Sequence, residues 1–161
     1  MNDEFIILCF RQQQGGIRQY WSKCKTSTNG IHFVDGQNTI RLNKDYNVYA
    51  KMTTFRGQAV LVGTSSSPDV KKYVEIFDEQ SRTWALKTPE DGYGLRYTAN
   101  FALIALENKL LHLGGLDTGG GKLHYHSQKT FLLDSMFTEW KPFGDLTLPG
   151  TFPGTAIPGT D

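Results

Sequence analysis

Residues 74–84, VEIFDEQSRTW, and residues 130–140, TFLLDSMFTEW, share one construction. Each is an apolar run closed by aspartate, with a tryptophan seven positions after the residue that precedes the aspartate: Phe77, Asp78 and Trp84 in the first, Leu133, Asp134 and Trp140 in the second. All three landmarks move together under a single shift of 56 positions. Upstream of each lies another apolar run ending in glycine, AVLVGT at 59–64 with Gly63 and KLLHLGG at 109–115 with Gly114 and Gly115. A repeat of this length marks stacked units of one supersecondary pattern, each burying its apolar faces against its neighbours.

Outward from these landmarks the apolar segments are short, rich in Val, Ile, Phe and Tyr, and broken by turn residues every eight to twelve positions. That pattern predicts an all-β fold. Four strands are expected in NVYAKMTTF, QAVLVG, KKYVEIFD and TWAL, and four more in NFALIAL, KLLHLGG, KTFLLD and EWKPF. A recurring unit of four antiparallel strands is the blade of a β-propeller. The connections RG and EN are short enough for hairpins, with Gly57 and Asn108 expected to take positive φ. Glycines ending the second strand of a unit suit a place where one backbone crowds another.

The organisation expected is therefore a partial blade over 1–45, one blade over 46–97, a second over 98–143, and a Pro-, Gly- and Thr-rich tail over 144–161 that carries three of the six prolines. In the first segment, FIILCF and IRQYWSKC suit a hairpin turning at Gly15 and Gly16, which would place residue 9 opposite residue 22 and Cys24 diagonal to Cys9. Two readings of the cysteines stand: reduced and packed, or a disulfide with the oxidising compartment it implies. A ring takes typically four to eight blades, and at roughly 50 residues per unit this chain supplies three at most. The working unit is thus expected to extend beyond these residues, either as a longer protein or by self-association, since open sheet edges invite aggregation.

Composition excludes several function classes. The 161 residues carry 17 Lys and Arg against 16 Asp and Glu, a formal charge of +1, so no global field steers the chain to nucleic acid or an anionic membrane. The adjacent pair Lys71 and Lys72 reads as solvated surface. No apolar run approaches the roughly 18 residues of a membrane helix, and the acidic opening MNDEF does not resemble a signal peptide. The compartment stays open, intracellular by the missing signal and extracellular if the chain is part of a secreted protein.

The glycine doublet after an apolar strand, the apolar residue before aspartate and the tryptophan seven beyond it resemble the kelch repeat, whose units are single propeller blades. The resemblance covers Tyr46 to about Phe143. Kelch units end their second strand in a glycine doublet, carry a tyrosine in the third and open the fourth with tryptophan. Here the doublet is Gly114 and Gly115 in one unit but Gly63 and Thr64 in the other, and the tyrosine position holds Phe77 or Leu133. Both tryptophans stand in place. The repeats are divergent.

The resemblance implies a non-enzymatic module that binds a protein partner through protruding loops, here Thr64 to Lys72, Lys87 to Tyr97 and Leu116 to Gln128. Arg96, Tyr97, His124 and Tyr125 have the amphipathic character that interface hot spots favour. His124 and His126 alternate along an extended segment, and His112 approaches if the loop folds back, but two histidines do not make a closed metal site and a polar loop is the plainer reading. No metal or cofactor is assigned. Some kelch-like propellers are copper oxidases or sugar isomerases, whose catalytic groups do not map onto this chain; others serve extracellular adhesion. No nucleophile elbow, phosphate loop or dinucleotide fingerprint is present, and nothing here encodes the helical domain through which some kelch proteins recruit substrates to ubiquitin ligases.

Overall fold

A computed structural model of the chain describes residues 6–13, 20–27, 40–44, 46, 50–65, 71–91, 95, 98–117 and 125–147. Among them every regular element is a strand, and these assemble into four open sheets. The all-β expectation holds.

The first sheet joins β1 (Ile6–Gln13), β2 (Tyr20–Ser27) and β3 (Ile40–Arg41) in that order. Its hairpin register differs from the one expected. Gln13 pairs with Tyr20, so six residues separate the strands in place of a turn confined to Gly15 and Gly16. This slides the register by two, and because side chains alternate with period two, Cys24 keeps its face and comes directly opposite Cys9. The two are joined as a disulfide.

The middle sheet runs β4 (Lys51–Phe55), β5 (Gln58–Thr64), β6 (Lys72–Asp78) and β7 (Thr83–Lys87) in simple antiparallel order. Strand β4 starts later than the stretch NVYAKMTTF suggested; residues 47–49 lie outside the described residues. Arg56 and Gly57 form the first turn at φ 52° and 76°, the paired positive values that match the twist of a two-residue hairpin. Asn108, placed in the same role in the next unit, has no positive φ: the left-handed asparagine is Asn100 at φ 51°.

The seven-residue spacing follows from the hairpin that closes each unit. Phe77 pairs across strands with Trp84, and Leu133 with Trp140. The aspartate between them makes the turn: Asp78 Oδ1 accepts from the amides of Gln80 and Ser81, and Asp134 Oδ1 from that of Met136. A carboxylate that bonds the backbone two or three residues on replaces a ladder bond with a local one and folds the chain back.

The last large sheet has the order β10 (Ala102–Leu106), β11 (Lys109–Leu113), β14 (Lys129–Asp134), β15 (Glu139–Asp145) and β8 (Glu90–Asp91). Strand β8 lies within the stretch read as the loop Lys87 to Tyr97, yet it pairs parallel to β15, with the Glu90 amide donating to the Thr138 carbonyl at 2.8 Å. A bulge at Thr130 and Phe131 lets β15 continue to Asp145, two residues into the stretch read as tail. The fourth, small sheet orders β13 (Tyr125–His126), β12 (Leu116–Asp117) and β9 (Thr98–Ala99).

Packing places these sheets face to face. One face of the middle sheet, with Val60, Val62, Val74 and Ile76, meets Leu103, Leu110, Phe131, Leu133 and Trp140 of the last large sheet in one core. Its other face, with Leu61, Tyr73, Phe77 and Trp84, meets Cys24, Ile7 and Cys9 of the first sheet in a second core. Strand β6 is therefore buried on both sides from Lys72 to Phe77, which is why its sequence reads as a run and not as an alternation.

Glu75 reaches into the second core fully buried and is satisfied by four donors. It accepts from the Asn43 amide and side chain, both at 2.9 Å, from the Lys44 amide at 3.1 Å, and from the Tyr46 hydroxyl at 2.7 Å. A buried carboxylate without partners is costly; one bonded this fully fixes the chain that crosses it. Burial, reinforced by the charge of Glu75, holds the Tyr46 hydroxyl well above the usual phenol range.

Candidate functional site

The ends of β5 and β11 carry the glycines of the repeat, and both mark close approaches. A Cβ on Gly63 would lie 2.6 Å from Tyr46 Cδ1 and 2.8 Å from Ala50 Cβ. One on Gly115, which has φ +111°, would lie 2.7 Å from the Ala99 carbonyl oxygen. Gly114 adopts φ 55°. Together these glycines let the chain leave the sheets and enter the loops expected to bind.

The bases of those three loops converge on Thr98. At the end of Thr64 to Lys72, the Ser65 amide donates to the Lys71 carbonyl, and Lys72 Nζ donates to the Thr98 carbonyl at 2.7 Å. At the end of Lys87 to Tyr97, the Thr98 amide and hydroxyl both donate to the Leu95 carbonyl, at 3.1 and 2.8 Å. For Leu116 to Gln128, Asp117 pairs with Thr98 and Leu116 with Ala99, while the Ser127 amide closes back on the Gly115 carbonyl at 2.7 Å. One threonine thus ties three loops that are far apart in sequence.

Below Thr98 lies a buried polar and aromatic layer. His112 Nε2 is 3.1 Å from the Thr98 hydroxyl, and its ring stacks on Phe101 at 4.2 Å and 15°. Lys72 Nζ also sits 4.2 Å from the Phe101 centroid, a cation–π distance. Burial lowers the Lys72 pKa to about 7, with the charge of Asp91 opposing that fall. Burial, and then the nearby Lys72 charge, hold His112 well below the usual imidazole range. Both side chains are fully buried, Lys72 directed at Thr98 and Phe101 and His112 at Thr98 through Nε2 and at Phe101 through its ring, while His112 Nδ1 has no hydrogen-bond partner.

Lys71 is exposed, as expected of the basic pair, but Lys72 is wholly buried, because alternate residues of β6 point to opposite faces and both faces are covered. His112 is engaged with Thr98 in the core and does not complete a histidine cluster at the loop. His126 is exposed on β13, and no group of three or more His, Cys, Asp or Glu capable of holding a metal occurs among the described residues. Arg96, Tyr97 and His124 lie outside the described residues. Tyr125 falls on β13, its backbone paired with Asp117. Asp78 and Asp134 lie in turns and Trp84 and Trp140 in the cores, with Trp140 paired to Asp91 and edge-on to His112 at 5.9 Å. Thr98, Phe101 and Leu95 carried no signal in the sequence, since none belongs to a repeated position.

No helix of the described residues is long and apolar enough to cross a membrane. No family model matches the chain, and no curated protein matches it in sequence. Solved structures do match in fold. A structure of YjhT aligns with a TM-score of 0.52 and 13% identity over 91% of this chain. The alignment takes in 51% of the YjhT chain, so this chain spans about half the length of the structure it matches.

Proposed function

We propose that this chain is a set of kelch-like propeller blades serving as a protein-interaction scaffold, and that it binds a protein partner through the three loops tied at Thr98. The convergence of those loop bases carries the reading. A stack of sheets holds the bases of three connections at one place, the arrangement in which loops supply recognition and the scaffold supplies geometry. Two further observations support it. Three sheets stack face to face as neighbouring blades do, and the fold is similar to that of the YjhT structure.

The buried layer speaks for a scaffold over a catalyst. Lys72, with its depressed pKa, and His112 are the residues best suited to proton or nucleophile chemistry, yet each is enclosed and directed at Thr98. No cofactor enters the proposal. The test replaces residues 118–124 with a Gly-Ser linker, leaving β12 and β13 in place. An unchanged melting midpoint together with loss of a protein partner captured by the parent chain supports the reading; a partner retained at full strength rejects the loop site.

A further inference from the structure

We infer that the three loop bases form one coupled unit and that His112 is its positioning residue: as the neutral tautomer with its hydrogen on Nε2 it holds the Thr98 hydroxyl, and Thr98 holds the bases. The inference rests on the loop reading above and names the residues that set the geometry of that site.

The hydrogen on Nε2 follows from the donors available at Thr98. The hydroxyl has a single hydrogen and lies 2.8 Å from the Leu95 carbonyl oxygen, which can only accept, so the hydrogen points there. Toward His112 Nε2, 3.1 Å away, the hydroxyl oxygen then offers a lone pair, and the ring must donate. In a neutral ring this makes Nδ1 the acceptor, and Nδ1 is the buried ring atom without a hydrogen-bond partner. The opposite tautomer buries an unpaired N–H and sets two lone pairs against each other across the contact with Thr98, forfeiting a hydrogen bond that the Nε2–H form makes. A ring protonated on both nitrogens is opposed by burial and by the charge of Lys72.

The core, and not the loops, fixes the direction of the ring. Phe101 stacks on it at 4.2 Å and 15°, while Phe131 and Trp140 stand edge-on with centroids 6.0 and 5.9 Å away. Aromatic neighbours on three sides hold the ring against turning over and exchanging its nitrogens.

Thr98 carries this constraint outward. Its amide and hydroxyl both close the 87–97 connection on Leu95, and its carbonyl accepts Lys72 Nζ, from the residue that ends the 64–72 connection. Its backbone pairs with Asp117, where the 116–128 connection departs. Lys72 belongs to the middle sheet and His112 to the last, so two sheets grip one residue and a displacement of Thr98 is felt at all three bases. Groups joined in one buried hydrogen-bond network respond together and not as independent pairs. Each base also has a closing amide of its own: Ser65 donates to the Lys71 carbonyl at 3.3 Å, Thr98 to that of Leu95 at 3.1 Å, and Ser127 to that of Gly115 at 2.7 Å. These three amides report on the unit.

Two measurements on the intact chain test the inference. Long-range nitrogen-15 to proton correlation of the wild type is expected to show a pyrrole-like Nε2 and a pyridine-like Nδ1 at His112. The reverse pattern, or averaging of the two, overturns the positioning role. Amide hydrogen exchange is then compared at positions 65, 98 and 127 in Thr98→Val, which removes the hydroxyl and keeps the shape, and in Lys72→Met, which removes the donor and keeps the length. Each variant is expected to speed exchange at all three amides by about fivefold or more, the equivalent of one lost hydrogen bond, and by more than at the β5 amides, which report opening of the whole chain. Thr98→Ser, which keeps the hydroxyl, is expected to retain the parent rates. Acceleration confined to the amide nearest each substitution, acceleration as large in β5, or a Thr98→Ser chain that behaves like Thr98→Val overturns the coupling. If Thr98→Val unfolds, Lys72→Met and the tautomer decide. No partner enters these measurements, so capture by the loops tests the scaffold reading separately.

Discussion

Lys72 Nζ donates to the Thr98 carbonyl oxygen at 2.7 Å, tying the first residue of β6 to β9 from inside the core. The ammonium is held where charge is disfavoured, and its pKa falls to about 7. Between that value and its ordinary 10.5 the unfolded chain binds the extra proton, so stability rises with pH across this window, on the order of 1 kcal/mol per pH unit at most. Urea unfolding of the wild type from pH 6.5 to 9.5 is expected to show this rise. Lys72→Met, which keeps the length of the side chain and cannot titrate, is expected to flatten it.

His112 acts on the acid side. Its pKa lies well below 6.5 in the folded chain, so as pH falls through the ordinary imidazole range the unfolded chain takes up a proton that the folded chain refuses. Stability contributed by the neutral ring is present above about pH 6.5 and is lost progressively below it. His112→Phe is expected to remove that portion of the acid sensitivity, measured as the difference between unfolding midpoints at pH 7 and pH 5.

Two glycines with positive φ separate conformation from contact. At Gly57 an added Cβ meets nothing within 4 Å, so Gly57→Ala is expected to cost only the left-handed backbone penalty of about 1–2 kcal/mol. At Gly115 the same substitution also drives a methyl group to 2.7 Å from a backbone oxygen. Gly115→Ala is expected to destabilise more than Gly57→Ala in chemical denaturation, and to loosen the base of the 116–128 loop, read as faster amide exchange at Ser127.

The tryptophans close the two cores. Trp140 is fully buried at the centre of one, against the edge of His112, and Trp84 packs on Phe77 in the other. Truncating a buried tryptophan typically costs about 3–5 kcal/mol, a large part of the roughly 5–15 kcal/mol that stabilises a domain. Trp140→Ala and Trp84→Ala are each expected to lower the thermal midpoint sharply or abolish the cooperative transition. An unchanged midpoint in either would contradict the packing described.

The Cys9–Cys24 bond spans 15 residues, a loop length for which chain-entropy arguments give about 3 kcal/mol. Cys9→Ser with Cys24→Ser is expected to lower unfolding stability by an amount of that order. The loss should be confined to the second core, leaving the environment of Trp140 unchanged by fluorescence.

What the sequence disclosed follows local geometry. Phe77 with Trp84 and Leu133 with Trp140 were legible because each pair flanks one tight turn, and a turn fixes spacing. Strand β8 was illegible because two residues, Glu90 and Asp91, carry no period, and their partner strand lies some fifty positions away. Lys72 was misread as solvated because charge is a surface signal unless both faces of a strand are covered, and coverage comes from other sheets. The hairpin joining Cys9 to Cys24 was read two residues out of register, an error that period-two alternation hides. Thr98 was invisible for a related reason: its importance lies in what converges on it.

The middle sheet, covered on both sides, has a consequence for how this chain comes apart. Neither core belongs to one sheet; each is shared across a junction, so no sheet is self-sufficient and damage is felt next door. In nearest-neighbour architectures of this kind the outermost members open first and the enclosed one last. The slowest-exchanging amides should therefore lie in β5 and β6, and any process that pries off the first or last sheet converts an interior surface into an exposed one in a single step.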